Sequence, residues 1–207
     1  MDLPSPFGTD EADFDSYDHF VPDHLPDPGP FLADAAVLTG DTHVAFHRTT
    51  RDLFEERSVK DATFGYNLAR LNLDTRHPDA GFRYAEESDA VLRAEFTPTT
   101  EFCPQSDTLC VGAFRAWNAL ADRHGYDLVR VRVDPMHQRA RTVNGRLRSL
   151  ETSHADGIDL APVEREAAGG LRREDDAPDD AGGAGTGTGR ADAGTADDPD
   201  EGPATPF

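Results

Sequence analysis

The sequence predicts an α+β domain: a small antiparallel or mixed three-stranded sheet packed by two or three helices, with disordered acidic arms at both ends. Three observations predict it. Val129, Val131 and Val133 alternate with Arg130 and Arg132, the period of a strand with one buried and one cationic face. Leu109, Ala113, Trp117 and Leu120 share one helical stripe, with Cys110, Phe114 and Ala121 beside it. The third is charge. The 207 residues include 40 acids and 20 bases, a formal charge of −20, and that excess is uneven. Residues 1–40 hold nine acids and no base, residues 41–166 hold 21 acids and 17 bases, and residues 167–207 hold 10 acids and three bases. The balanced middle predicts one globular domain over 41–166, between an acidic arm (1–40) and a Gly/Ala/Asp-rich tail (167–207).

The elements follow in order. In the first arm, Phe14, Tyr17 and Phe20 alternate with acids, and Pro22, Pro26, Pro28 and Pro30 are too dense for a helix or a central strand. Its Asp13, Asp15, Asp18, His19, Asp23 and His24 are cation donors by type, but the glycine and closing glutamate of an EF-hand are missing, so solvated coil is expected. Asp41 or Thr42 caps a helix to about Arg57, with Val44, His47, Arg51 and Phe54 at helical spacings. Phe64, Tyr66, Leu68, Leu71 and Leu73 read as a bulged strand. The turn residues His77, Pro78 and Gly81 then lead through Phe82 and Tyr84 to a partner strand over 90–97, closing a hairpin. Ser106 or Asp107 caps the core helix, and Gly125 is expected to end it. The valine strand follows and Pro135 stops it. Residues 139–151 make the last helix on Val143, Leu147 and Leu150.

Composition narrows the function. A net charge of −20 excludes a general nucleic-acid binder. A single lysine (Lys60) among arginines and a pI near 4.5 suggest a halophilic protein, whose acids keep its surface hydrated in strong salt. Two cysteines exclude a secreted disulfide framework, no apolar run is long enough for a membrane span, and the Met1-Asp2-Leu3-Pro4 start lacks the basic region of a signal peptide. A cytoplasmic location is expected. Serine-triad, Walker and dinucleotide signatures are absent.

The stretch with chemistry is Phe96-Thr97-Pro98-Thr99-Thr100-Glu101-Phe102-Cys103-Pro104, between a strand and the N-terminus of the core helix. Free N–H groups and the helix dipole favour a thiolate at such a place, a better nucleophile and soft-metal ligand; a small apolar filler in a tight turn is the plainer use. Cys110 lies seven residues on, at a spacing that suits no zinc site, and also reads as a core residue. His137, in the loop after the valine strand, is a cap, a surface residue or a site residue. Cys103, Cys110 and His137 would provide three ligands for a labile iron if the fold gathered them. Arg130, Arg132, Arg139, Arg141, Arg146 and Arg148 concentrate positive charge and would suit an acidic partner.

Phe96-Thr97-Pro98-Thr99, three intervening residues and Cys103-Pro104 resemble the Phe-Thr-Pro-Thr…Cys loop of the SufT/PaaD-type iron–sulfur assembly family, which includes the cytosolic iron–sulfur targeting subunits. Val133, Met136-His137, Val143-Asn144 and Leu147 resemble the strand, Thr-His, Val/Ile-Asn and Leu/Ile succession of the same family. Phe102 stands where that loop often carries histidine, and the Asp-Pro-Glu signature of the family has no clear counterpart. The resemblance implies a reactive Cys103 supported by Thr97 and Thr99, and extends to His137 and Asn144; the residues themselves add Pro104 to the loop, Cys110 as a candidate second ligand with His137, and Arg130 and Arg132 with Asn144 as a surface toward a partner. The resemblance also implies a transient Fe or Fe–S cluster as cargo, and as partners the assembly machinery or client apoproteins; a homodimer is compatible with it. The expected role is a non-catalytic iron–sulfur assembly or targeting factor. A thiol-based redox or transfer enzyme using Cys103, with Cys110 resolving, is one alternative, and a halophilic interaction domain without a retained site is the other.

Overall fold

The elements run β1 (Ala36–Val37), α1 (Gly40–Glu56), β2 (Gly81–Ser88), β3 (Val91–Thr97), α2 (Ser106–Ala119), β4 (Leu128–Val133) and α3 (Ala140–Ala155). They come from a computed structural model that describes residues 13–157; the expected tail (167–207) lies outside the described residues. One mixed sheet has the order β1-β2-β3-β4, antiparallel except for the parallel pair β3 and β4. Parallel neighbours need a crossover, and α2 provides it. Among the described residues no helix is long and apolar enough to cross a membrane.

Four strands replace the expected three, and the additional one belongs to the segment expected to be a disordered arm. Within that segment, residues 13–40 are ordered against the domain. Phe14 bridges to Asp74 and meets Tyr66 edge-on at 5.6 Å, Tyr17 stacks on His47 at 5.7 Å, and Leu32 is fully buried. Pro22 and Pro30 open short 3-10 turns, where a missing N–H costs nothing. The proline count therefore excluded regular elements without excluding packing. The acids meet bases instead of gathering round a cation: Asp15 faces His24, Asp18 faces Arg48 and Asp13 faces Arg76.

α1 forms where expected, with His43, Phe46, His47, Thr50, Leu53 and Phe54 buried; Val44 and Arg51, expected on that face, are only half-buried. The expected bulged strand over 64–73 is instead a loop ending in a 3-10 helix, Leu68–Leu73. Leu68 and Leu71 are one 3-10 turn apart, a spacing that also fits a bulged alternation. Asn72 takes over the pairing. Its amide donates to the Phe82 carbonyl and its oxygen accepts from the Phe82 N–H, both at 2.7 Å, so one side chain stands in for a strand. Gly81, at φ 120°, lets Asn72 come this close, because a Cβ there would collide with the amide. The real hairpin joins β2 and β3, from Gly81↔Thr97 to Ser88↔Val91.

Phe82, Tyr84, Leu92, Ala94, Phe96, Val129, Val131 and Val133 alternate along the three long strands and are buried in the core with Trp117, Phe114 and Leu109 of α2 and Val143 and Leu147 of α3. α2 stops at Ala119; Gly125, at φ 80°, ends the 3-10 turn beyond it. The other face carries a charged row in register, Arg83↔Glu95↔Arg132. The N-terminal segment crosses it. The buried Glu95 carboxylate accepts from the N–H groups of Gly29 (2.6 Å) and Phe31 (3.1 Å). Burial raises the Glu95 pKa, which the two N–H bonds offset in part.

β4 ends the sheet, and its free edge is closed by side chains. Asn118 bonds both the N–H (2.8 Å) and the carbonyl (2.9 Å) of Val129, and Asn144 does the same for Val133 at 2.8 and 2.9 Å. Between them the Arg132 guanidinium donates to the Val131 carbonyl at 2.7 Å, so most of the edge's outward backbone groups are taken, which blunts it as a template for further pairing.

Candidate functional site

β3 and β4 run parallel, so the loops leaving them emerge at the same end of the sheet. The first, residues 98–105, leads into α2; the second, residues 134–139, leads into α3. Two bonds join the loops to each other, and two more fix the second loop at the sheet end. The Asp134 N–H donates to the Phe96 carbonyl at 2.9 Å and extends the ladder by one rung. The Asp134 carboxylate accepts from the Met136 N–H at 2.7 Å, tightening the second loop. The Gln138 N–H donates to the Glu101 carbonyl at 2.9 Å, and His137 Nε2 donates to the Cys103 carbonyl at 3.0 Å. Gln105 anchors the first loop from the other side, donating to Thr63 (2.6 Å) and accepting from the Ala62 N–H (3.0 Å).

Cys103 is half-buried just ahead of α2, as expected. Its N–H donates to the Thr100 carbonyl at 3.3 Å, and its own carbonyl also accepts from the Ser106 N–H at 3.4 Å. Thr97 ends β3 opposite Gly81, Thr99 is half-buried and Pro104 is exposed in the turn. Ser106 is fully enclosed, and its hydroxyl has no hydrogen-bond partner among the described residues.

The three expected ligands do not form a metal site. His137 is buried with both ring nitrogens engaged: Nε2 faces a carbonyl and must carry the proton, which leaves Nδ1 to accept from the Arg139 N–H at 3.2 Å. It joins Cys103 through the backbone, not the thiol. Cys110 is enclosed in the core, where burial pushes its thiol well above the usual range, with the Asp107 and Cys103 charges adding. Among the described residues no three His, Cys, Asp or Glu side chains are grouped to hold a metal ion.

The expected arginine and asparagine partner face is also engaged within the chain. Arg132 is buried, forks onto the Glu151 carboxylate and lies 5.0 Å from the Phe31 ring. Arg130 pairs with Glu87 at 3.2 Å, and Asn144 serves Val133. Strand alternation places both arginines on the polar face, but does not reveal the partners that meet them there: Glu87 of β2 for Arg130, and Phe31 of the N-terminal segment and Glu151 of α3 for Arg132. What residue typing overlooked is Phe102 and Met136. They flank the tied backbones and are the two exposed large apolar side chains among the described residues, at 61 % and 43 %. Their position between acids, prolines and polar residues was the available signal.

Residues 12–160 match the family described as a domain of unknown function (DUF7998), so the chain belongs to that family. Neither the curated proteins nor the solved structures include a match to this chain.

Proposed function

We propose that this protein is a non-catalytic assembly or targeting factor for iron–sulfur protein maturation, with Cys103 making a transient thiol contact to iron, a cluster or a client cysteine as cargo. The observation that carries this reading is the placement of Cys103: half-buried, on a strand-to-helix loop fixed through its carbonyl by His137, beyond the carboxyl ends of two parallel strands. Ligands gather at such ends because loops from several strands converge there. The strand, loop, helix, strand, helix succession from β3 to α3 is compatible with the part of the chain, about residues 62–155, over which the resemblance to the SufT/PaaD-type family runs. A dithiol redox enzyme fits less well, since Cys110 is enclosed and its thiolate disfavoured. The acidic excess is read as adaptation to a salt-rich cytoplasm.

Anaerobic purification of the tagged full chain from its host tests the reading. Iron or iron–sulfur apoproteins should co-elute with the wild type and be lost with Cys103→Ser, whose hydroxyl binds soft iron poorly. Equal recovery from both would overturn it.

A further inference from the structure

We propose that Phe102 and Met136, with Arg139 and Arg141 beside them, form a docking surface for an acidic peptide segment of a partner protein that carries an apolar anchor side chain. The inference deepens the reading above by giving the partner a chemistry, and it rests on that reading for the functional role of the loop. Geometry supplies the apolar half. On either side of Phe102, the Glu101 carbonyl accepts from the Gln138 N–H and the Cys103 carbonyl from the His137 ring, and Met136 is the next residue along. The two exposed side chains therefore stand on tethered loops, and little ordering entropy is lost when a partner covers them. A polarizable methionine beside an aromatic ring is an adaptable receiver for an apolar anchor.

Charge supplies the other half. Arg48, Arg51, Arg76, Arg93, Arg123, Arg130, Arg132 and Arg146 each have an acidic group within 4.0 Å. Arg57, Arg139, Arg141 and Arg148 are exposed and have no ion-pair partner among the described residues, despite the net charge of −20, and all but Arg57 lie on or just before α3. Arg139 leads into α3 directly after the Met136 turn; Arg141 and Arg148 lie two helical turns apart on one face. Two turns set these guanidinium forks about 10 Å apart, a distance that suits carboxylates about three residues apart on an extended peptide. A nucleic acid would meet the same forks, but would also approach the exposed Glu101 and a strongly acidic molecule.

Panning short random phage-displayed peptides on the full chain tests this, with binding of the enriched peptides and of an oligouridine RNA then measured by fluorescence anisotropy. Enrichment should favour Asp and Glu around Trp, Phe, Leu or Met. Affinity should fall about tenfold or more in Phe102→Ser and in the Arg139→Ser/Arg141→Ser double variant, weaken with added KCl, and be unchanged in Arg57→Ser, an exposed arginine at the end of α1. All of these positions are exposed, so near-ultraviolet circular dichroism from buried Trp117 should be the same in every variant. Enrichment of basic or purely apolar sequences, no enrichment, affinity insensitive to either arginine or Phe102 substitution, or tighter binding of the RNA would overturn it. Scoring Cys103→Ser separates the two claims: full iron–sulfur activity in Cys103→Ser cells removes the maturation role, whereas unchanged binding by Phe102→Ser removes the docking surface.

Discussion

His137 holds Cys103 by its carbonyl oxygen, donating from Nε2 across 3.0 Å from a loop 34 residues further along the chain. The thiol's own loop is thereby clamped while the sulfur is left free of that bond. His137→Ala should cost about 1–3 kcal/mol, because two buried bonds are lost, and should speed iodoacetamide labelling of Cys103 in the folded protein. His137→Gln, which keeps a donor, should recover part of both effects. Unchanged melting and labelling in the alanine variant would show that the clamp holds nothing.

Asn118→Asp should destabilise the fold by about 1–3 kcal/mol. The carboxylate still accepts from the Val129 N–H but has no N–H for the carbonyls of Val129 and Phe114, which Asn118 serves at 2.9 and 2.8 Å. Urea denaturation measures the loss; a change below about 0.5 kcal/mol would mean that water replaces the amide.

Leu109→Ala should cost about 2–5 kcal/mol, as deletion of a core side chain does. Arg132→Ala, which an open strand face would tolerate, should instead cost about 1–3 kcal/mol because it strips the part-buried Glu151 of its fork. Thermal melts in matched KCl compare them. A neutral Arg132→Ala would show that Glu151 rehydrates freely.

Acid should destabilise the domain through two stacked histidines. Burial, then the neighbouring His47 and Arg83, lowers His43 to about 3; burial lowers His47 to about 4 despite its bond to the Ala69 carbonyl. Both are depressed below the unfolded value near 6.5, so the unfolded chain binds more protons below that pH. Their stabilisation is complete above about pH 6.5 and is lost as pH falls, toward 4 for His47 and toward 3 for His43, at up to about 1.4 kcal/mol per unit for each histidine. Denaturation series at stepped pH should show this slope flattening in His43→Phe. An identical slope would place the acid sensitivity elsewhere.

The helices and the valine strand were legible because each shows an apolar period: Leu109 to Trp117 on α2, Val129 to Val133 on β4. The strap over residues 13–37 was not, because its anchors are solitary rings and leucines between prolines, and their partners (Tyr66, His47, His43) are remote in sequence. Side-chain substitutes for strands were equally hidden. Nothing local marks Asn72 or Asn118 as backbone partners, and Leu68 to Leu73 lost its expected strand to that device. At the site, the position of Cys103 was legible from the strand-to-helix order. The role of His137 was not, since residue type gives a ligand and a cap the same signature. Exposure of Phe102 likewise depends on which way a tight loop turns.

The most direct test of the account compares Cys103→Ser with Cys110→Ser in the host, scoring iron–sulfur enzyme activity against the soluble level of each variant. Cys103→Ser should keep the protein soluble and lose the activity. Cys110→Ser should lower the soluble level, because a hydroxyl buried without a partner costs about 1–3 kcal/mol, while whatever protein remains stays competent. Full iron–sulfur enzyme activity in Cys103→Ser cells would contradict the account.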